Sequence, residues 1–339
     1  MNYELINYDK TEPNKYRKSY AWKTAIGLQK VDNIDVSSYL IENAKRNIDG
    51  EISFQEVSNL INSYYEQKPI FNDRSEEADK VSIRIAELLS NDSFTFSPIE
   101  YINIHKFLFK DIYENAGMIR NYNILKAEWV LDGDTVIYGS YYNLKETLEY
   151  DFKLENEFSY KDLSINDFIK HIASFISNLW QIHIFGEGNT RTTAVFLIKY
   201  LRKFGFDINN DLFSNHSWYF RNALVRANYS NYIKGIYETT YYLELFLKNL
   251  LLNENNNLSN KKLHILYKPE ETKKITINER IVLEEIKKNN HITIKELSII
   301  INKSVRTVSN IIKELSINGY IKRVSGKKHG YWEILIDEF

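Results

Sequence analysis

The chain has 339 residues, 43% of them hydrophobic, with only 4 Pro and 12 Gly, so it can bury a sizeable core and is expected to be mostly helical. It has no cysteine, which excludes disulfides, thiolate nucleophiles and Cys-ligated zinc. The net charge of −1 conceals an asymmetry: residues 272–339 hold 13 Lys and Arg against 8 Asp and Glu, so a basic end follows an acidic body.

Residues 1–29 have weak periodicity and carry Tyr16, Tyr20 and Trp22, as an arm packed on the body would. The start is polar and acidic, unlike a signal peptide. No apolar run reaches the ~20 residues of a membrane span; residues 246–252 are short and broken by Lys248 and Asn249. A cytoplasmic protein without a membrane role is expected. Ser37 or Ser38 reads as the N-cap of a helix through Leu40, Ile41 and Ala44. Further helices are predicted at 53–66, 75–89, 98–113 and 143–156. Between the last two, Asp132-Gly133-Asp134 flanked by Trp129-Val130-Leu131 and Thr135-Val136-Ile137-Tyr138 predicts a β-hairpin. The strongest helical pattern spans 165–182, where Phe168, Ile172, Phe175, Ile176, Leu179 and Ile182 recur at helical spacing. Another helix follows from about 192 to 205, then two more at 218–228 and 241–252. An Asn-rich linker comes next. The last ~65 residues read as helix (277–288), helix-turn-helix (293–301 and 304–318) and a two-stranded wing (320–324 and 331–336).

The sharpest chemistry lies where the 165–182 helix gives way to the next. In His183-Ile184-Phe185-Gly186-Glu187-Gly188-Asn189-Thr190-Arg191, two glycines let main-chain amides approach a ligand. A helix begins at once, and its free N–H groups make an anion site. Arg191 adds a cationic fork suited to phosphate. Glu187 would repel phosphate unless a cation lay between them, and Mg²⁺ held by one carboxylate and phosphate oxygens answers that need. His183 stands at the mouth as a general base for an incoming hydroxyl. Phe185 anchors the loop inward.

This loop resembles the signature of the Fic family, H-P-F-x-(D/E)-G-N-G-R-x-x-R, matching at His183, Phe185, Glu187, Gly188, Asn189 and Arg191. Residues 102–123 resemble the family's opening core helix and its A-G-x-x-R turn, and the hairpin stands where the family has its flap. The resemblance covers roughly residues 30–255. It implies a mostly α fold: a Fic-type helical core with a β-hairpin flap, plus a C-terminal winged helix-turn-helix domain. The expected division is an N-terminal arm and inhibitory helical region (1–95), a catalytic core (96–255), a linker (256–272) and the winged domain (273–339).

The resemblance further implies a protein adenylyltransferase that moves AMP from ATP, with Mg²⁺, to Tyr, Thr or Ser hydroxyls in an extended segment of a target protein. His183 would be the base, Glu187 the metal ligand, and Gly186, Gly188, Asn189, Thr190 and Arg191 the phosphate cradle. Asn228 would reach the adenine side, and Thr135, Val136, Ile137 and Tyr138 of the flap would receive the target segment. Ser38-x-x-x-Glu42-Asn43 fits the family's inhibitory pattern, making Ser38 and Glu42 a brake. Three positions depart from the signature: Ile184 replaces Pro, Thr190 replaces Gly, and Ala194 replaces the second Arg. The last supports an alternative, a nucleotide-sensing DNA-binding regulator with a weakened or inactive Fic domain, or transfer of a different phosphoryl group. In the winged domain, Lys303, Arg306, Thr307, Asn310 and Lys313 on the second helix, with Lys327 and Lys328 in the wing, are the residues expected to meet DNA, the protein acting as a homodimer.

Overall fold

The computed structural model describes residues 12–67, 74–208, 211–267, 275–324 and 330–335. The chain divides into two compact units, one ending at Tyr267 and the other beginning at Lys268.

The first unit is helical: α1 (Pro13–Leu28), a 3-10 turn (Gln29–Asp32), α2 (Ser38–Asp49), α3 (Phe54–Glu66), α4 (Ser75–Ser90), α5 (Pro98–Phe109), α6 (Leu144–Glu157), α7 (Ile165–Ile182), α8 (Asn189–Lys203), α9 (Leu212–Ala227), α10 (Tyr241–Leu252) and α11 (Asn260–Leu263). Helix α8 is the axis, with every residue from Asn189 to Leu201 buried. It packs against α4, α5 and α7. A helix covered on all sides needs no amphipathic stripe, and the same reason hides α1 from periodicity. Tyr20, Ala21, Trp22, Ala25 and Leu28 are all buried, so residues 13–28 form a core helix against α4 and α9 and not an arm.

Helix starts follow the local chemistry. Ser53 and Glu56 form a capping box on α3, and Ser97 and Ser164 cap α5 and α7, each cap contributing about 1 kcal/mol. Three expectations need correction. Helix α5 stops at Phe109 and gives way to turns, four residues before the expected end. Helix α9 begins earlier than expected and bends at His216, whose φ of −131° leaves the helical region. Residues 256–267, read as linker, pack on the first unit: Leu263 of α11 is buried and Asn249 receives bonds from Asn256.

The expected hairpin at 128–141 is also corrected. Val130 and Leu131 are consecutive and both buried, which the strict alternation of a strand forbids, so residues 129–131 wind into a 3-10 turn. The two arms touch at Glu128 N to Asp134 O (2.9 Å) and Gly133 N to Glu128 O (3.0 Å) without a ladder. The second arm does alternate, with Val136 and Tyr138 buried and Ile137 exposed.

The second unit comprises α12 (Ile277–Lys288), α13 (Ile294–Ile300), α14 (Val305–Ile317) and the antiparallel pair β1 (Ile321–Val324) and β2 (Tyr331–Ile334), with Ile321 opposite Ile334. Capping boxes at Thr276 and Thr293 and the Ser304 cap start its helices. Leu283, Ile286, Leu297, Val308, Ile312 and Leu315 are its core. Trp332 ties the wing to the α12–α13 loop through Asn290 O and Ile292 O. No helix among the described residues is long and apolar enough to cross a membrane.

Candidate active site at the α7–α8 loop

Helix α7 ends at His183, whose φ of 49° lies in the left-handed region. The carbonyl ends of α7 are held by Arg120, which donates from Nε to His183 O (2.6 Å) and from Nη2 to Ile182 O (3.3 Å). The same guanidinium bonds Tyr122 O and Gly139 O, so one side chain joins the loop, the 118–122 turn and the end of the flap segment. Sequence reading located this turn by its A-G-x-x-R pattern but gave Arg120 no role. Four carbonyls converging on one guanidinium leave no mark in one dimension.

The loop then closes on itself. Asn189 Oδ1 accepts from Phe185 N (3.1 Å) and its Nδ2 donates to Phe185 O (2.8 Å). Phe185 is fully buried, as expected of the anchor. Gly188 has φ +76°, and a Cβ there would lie 2.4 Å from Phe109 Cε2; only glycine fits. The first bond within α8 runs from Thr192 N to Gly188 O, leaving the amides of Asn189, Thr190 and Arg191 before it at the helix start. Free amides at a helix start are able to bind an anion.

His183 is 3% exposed. Its ring packs against both Tyr138 (centroids 4.3 Å apart) and Trp180 (5.2 Å, nearly perpendicular), whose own rings are 5.7 Å apart. Nδ1 meets Trp180 O at 3.3 Å, and Nε2 has no hydrogen-bond partner among the described residues. Burial, reinforced by the charge of Lys126, holds this imidazole well below the usual range. A neutral ring with Nδ1–H toward the carbonyl leaves the Nε2 lone pair free, the form a general base requires.

Glu187 is mostly exposed, its side chain at 58%, and its carboxylate is paired with Lys126 at 3.2 Å. It lines a cavity of about 390 Å³ with Gly186, Tyr113, Met118, Arg120 and Tyr122. Among the described residues no group of three or more His, Asp or Glu could hold a metal. A single exposed carboxylate beside an anion site suits Mg²⁺, which keeps several waters and shares phosphate oxygens. Its main chain is fixed by His105, which accepts from Gly117 N at Nδ1 (2.8 Å) and therefore donates from Nε2 to Glu187 O (3.0 Å). Burial pushes His105 down to about 4. A lone His inside α5 carried no sequence signal for this task.

Several expected contacts fall elsewhere. Arg191 is fully buried; it binds Gln29 Oε1 (2.9 Å), Glu77 Oε1 (2.7 Å), Asp32 Oδ2 (2.8 Å) and the Tyr113 hydroxyl (3.0 Å). Its guanidinium is thus spent on the 3-10 turn and α4 and offers no fork to phosphate. Thr190 Oγ1 accepts from Trp180 Nε1 (3.0 Å). Asn228 Nδ2 donates to Ser177 O and Leu224 O, which caps α9 and leaves no amide N–H for adenine. Ser37, not Ser38, caps α2, and Ser38 and Glu42 are exposed. The carboxylates on Arg191 are Asp32 and Glu77.

The flap segment is clamped at its base. Arg221 of α9 grips the buried Glu128 with two bonds (2.5 and 3.0 Å), and Tyr229 donates to Asp134 (2.7 Å). Gln181 Nε2 donates to Ile137 O (3.0 Å). Thr135 is half-buried, while Val136 and Tyr138 point inward. A larger cavity, about 550 Å³, lies at the far end of α8, lined by Lys199 and Arg202. Those cations donate to Leu88 O, Asn91 O and Leu89 O at the C-terminus of α4. They cap a helix, and the functional site is placed at the other end of α8.

In the second unit, Lys303, Arg306, Thr307, Asn310 and Lys313 are all exposed at the start and along one side of α14, opposite Val308, Ile312 and Leu315. Lys327 and Lys328 lie outside the described residues.

Comparison with known proteins finds two family matches in this chain. Residues 95–201 match the model of the Fic/DOC family and residues 275–322 match that described as winged helix-turn-helix DNA-binding. Among curated proteins nothing matches. A solved Fic family protein from Desulfovibrio desulfuricans G20 is similar at 10% identity and a TM-score of 0.47, over 99% of this chain and 92% of that one, too remote a likeness to carry weight. The two matched segments decide the assignment: the chain carries a Fic/DOC-family domain followed by a winged helix-turn-helix.

Proposed function

We propose that the protein is an adenylyltransferase that moves AMP from ATP to a hydroxyl side chain of another protein. The observation that carries this is His183: buried, neutral, fixed by Trp180 O at Nδ1, and unpartnered at Nε2. A purely structural histidine has no reason to leave a buried ring nitrogen unbonded, which costs about 1–3 kcal/mol. Nε2 takes the proton of the target hydroxyl. The oxygen then attacks the α-phosphorus, forming the P–O bond as the bond to the bridging oxygen breaks and pyrophosphate leaves. Amides at 189–191 hold phosphate oxygens. Glu187 would hold Mg²⁺, which supplies charge neutralisation of the phosphates. The extended edge at 135–138 receives the target segment by main-chain pairing, its side-chain alternation leaving Ile137 outward.

One observation favours a second reading, a nucleotide sensor joined to a DNA-binding module. Both terminal nitrogens of the buried Arg191 are bonded within the protein and the second signature Arg is Ala194, so neither signature position offers a terminal phosphate a free guanidinium fork. The two readings part in a labelling experiment with a proteome extract, Mg²⁺ and ATP labelled at the α or γ position. Transfer of α label by wild type, lost in His183→Ala while ATP binding persists, supports the adenylyltransferase. Binding without label supports the sensor, and γ label alone supports phosphoryl transfer. The same assay with Glu42→Gly tests the implied brake: more label supports it and equal label removes it.

A further inference from the structure

We propose that Thr190 is a positioning residue for the base His183, acting through the Trp180 indole. The proposal rests on the transfer reading and specifies how this chain keeps its base in place.

Position 190 is where the sequence departs from the family signature, which has glycine. Thr190 Oγ1 accepts the Trp180 Nε1–H at 3.0 Å, a bond that bridges α8 back to α7. Both residues are buried, so water does not compete, and an orphaned indole N–H would cost about 1–3 kcal/mol. Trp180 meets His183 twice. Its ring stands edge to face against the imidazole at 5.2 Å and 89°, and its carbonyl faces Nδ1 at 3.3 Å. Tyr138 lies 4.3 Å from the imidazole and 5.7 Å from the Trp180 ring, its hydroxyl held by Glu128 Oε1 at 3.1 Å. Glu128 is in turn gripped by Arg221.

Each aromatic wall of the base is therefore tied at its polar tip. Tyr138 is tied to the flap segment and Trp180 to the signature loop. The two tied rings and the Trp180 carbonyl brace the imidazole, and Nε2 is its buried ring nitrogen without a hydrogen-bond partner among the described residues. Glycine at position 190 offers no acceptor, so this tie belongs to the present chain. Positioning matters because a base must sit within hydrogen-bond reach of the proton it takes.

The test compares Thr190→Val, which keeps the branched shape but loses the acceptor, with Thr190→Ser, which keeps the acceptor. Steady-state AMP transfer and the imidazole ¹⁵N signals of His183, assigned by their loss in His183→Ala, are read in the full chain. Thr190→Val is expected to lower kcat by about 10- to 100-fold with KM for ATP unchanged, and to shift the His183 signals. Thr190→Ser recovers most of both. A Thr190→Val protein with wild-type kcat and wild-type signals overturns the proposal, as does a Thr190→Ser variant as impaired as the valine. If wild type transfers no nucleotide, the transfer reading fails by itself, and the imidazole signals alone decide: shifted supports the tie, unshifted overturns it. Should Thr190→Val not fold, Trp180→Phe removes the same bond from the donor side and is read the same way.

Discussion

At the residue scale the loop tolerates little. Gly188→Ala combines a left-handed backbone with a Cβ 2.4 Å from the buried Phe109 ring. A loss of about 2–4 kcal/mol is expected in urea unfolding, whereas a change below about 0.5 kcal/mol would mean the loop is not packed as described. His105 gives the loop a pH dependence. Its folded value of about 4 lies below the ordinary 6.5, so between these values the unfolded chain binds a proton that the folded chain refuses. Its contribution is complete above pH 6.5 and is lost as pH falls through that window, on the order of 3 kcal/mol. His105→Gln should flatten this part of the stability profile between pH 4 and 7, and an unchanged profile would contradict the assigned bonds. The inward Phe185 and the helix start just after Gly188 were legible in the sequence, because a tight loop between helices needs those residue types at that spacing. The tasks of Arg120, His105 and Tyr138 were not, because their partners lie far away along the chain.

At the element scale, legibility followed amphipathicity. Helix α7 has one apolar face, and its ends were read correctly from the periodicity. Helix α1 is buried nearly all round from Ser19 to Leu28 and passed for an arm. The flap misled for a different reason: Asp132-Gly133-Asp134 does turn the chain, but Val130 and Leu131 both seek the core, and burial overrides strand pairing. The 3-10 turn and α4 are locked to the signature loop by Arg191, with Glu77 also gripped by Arg74 (2.8 Å). Although burial alone would raise it, Arg74 and Arg191 hold the Glu77 carboxyl below its ordinary range. Glu77→Gln leaves part of a buried guanidinium charge unbalanced and is expected to cost about 2–3 kcal/mol. Equal stability of the variant in urea would show the lock to be dispensable.

At the scale of the whole molecule, the two units have separate cores. The charge asymmetry follows the same division, and a basic module after an acidic body suits a polyanion. The row of cations on α14 lies opposite its core face, as a groove-reading helix requires. Lys303→Ala and Arg306→Ala should each lower the log–log salt slope of binding to duplex DNA by about 1, measured by fluorescence anisotropy. Unchanged slopes would turn attention to a protein partner for this module.

The most direct measurement is intact-mass analysis of a hydroxyl-bearing acceptor after incubation with Mg²⁺, ATP and either wild type or His183→Ala. The account predicts one added AMP moiety with wild type and none with the variant. An unmodified acceptor in both, or an AMP adduct that survives loss of His183, would contradict it.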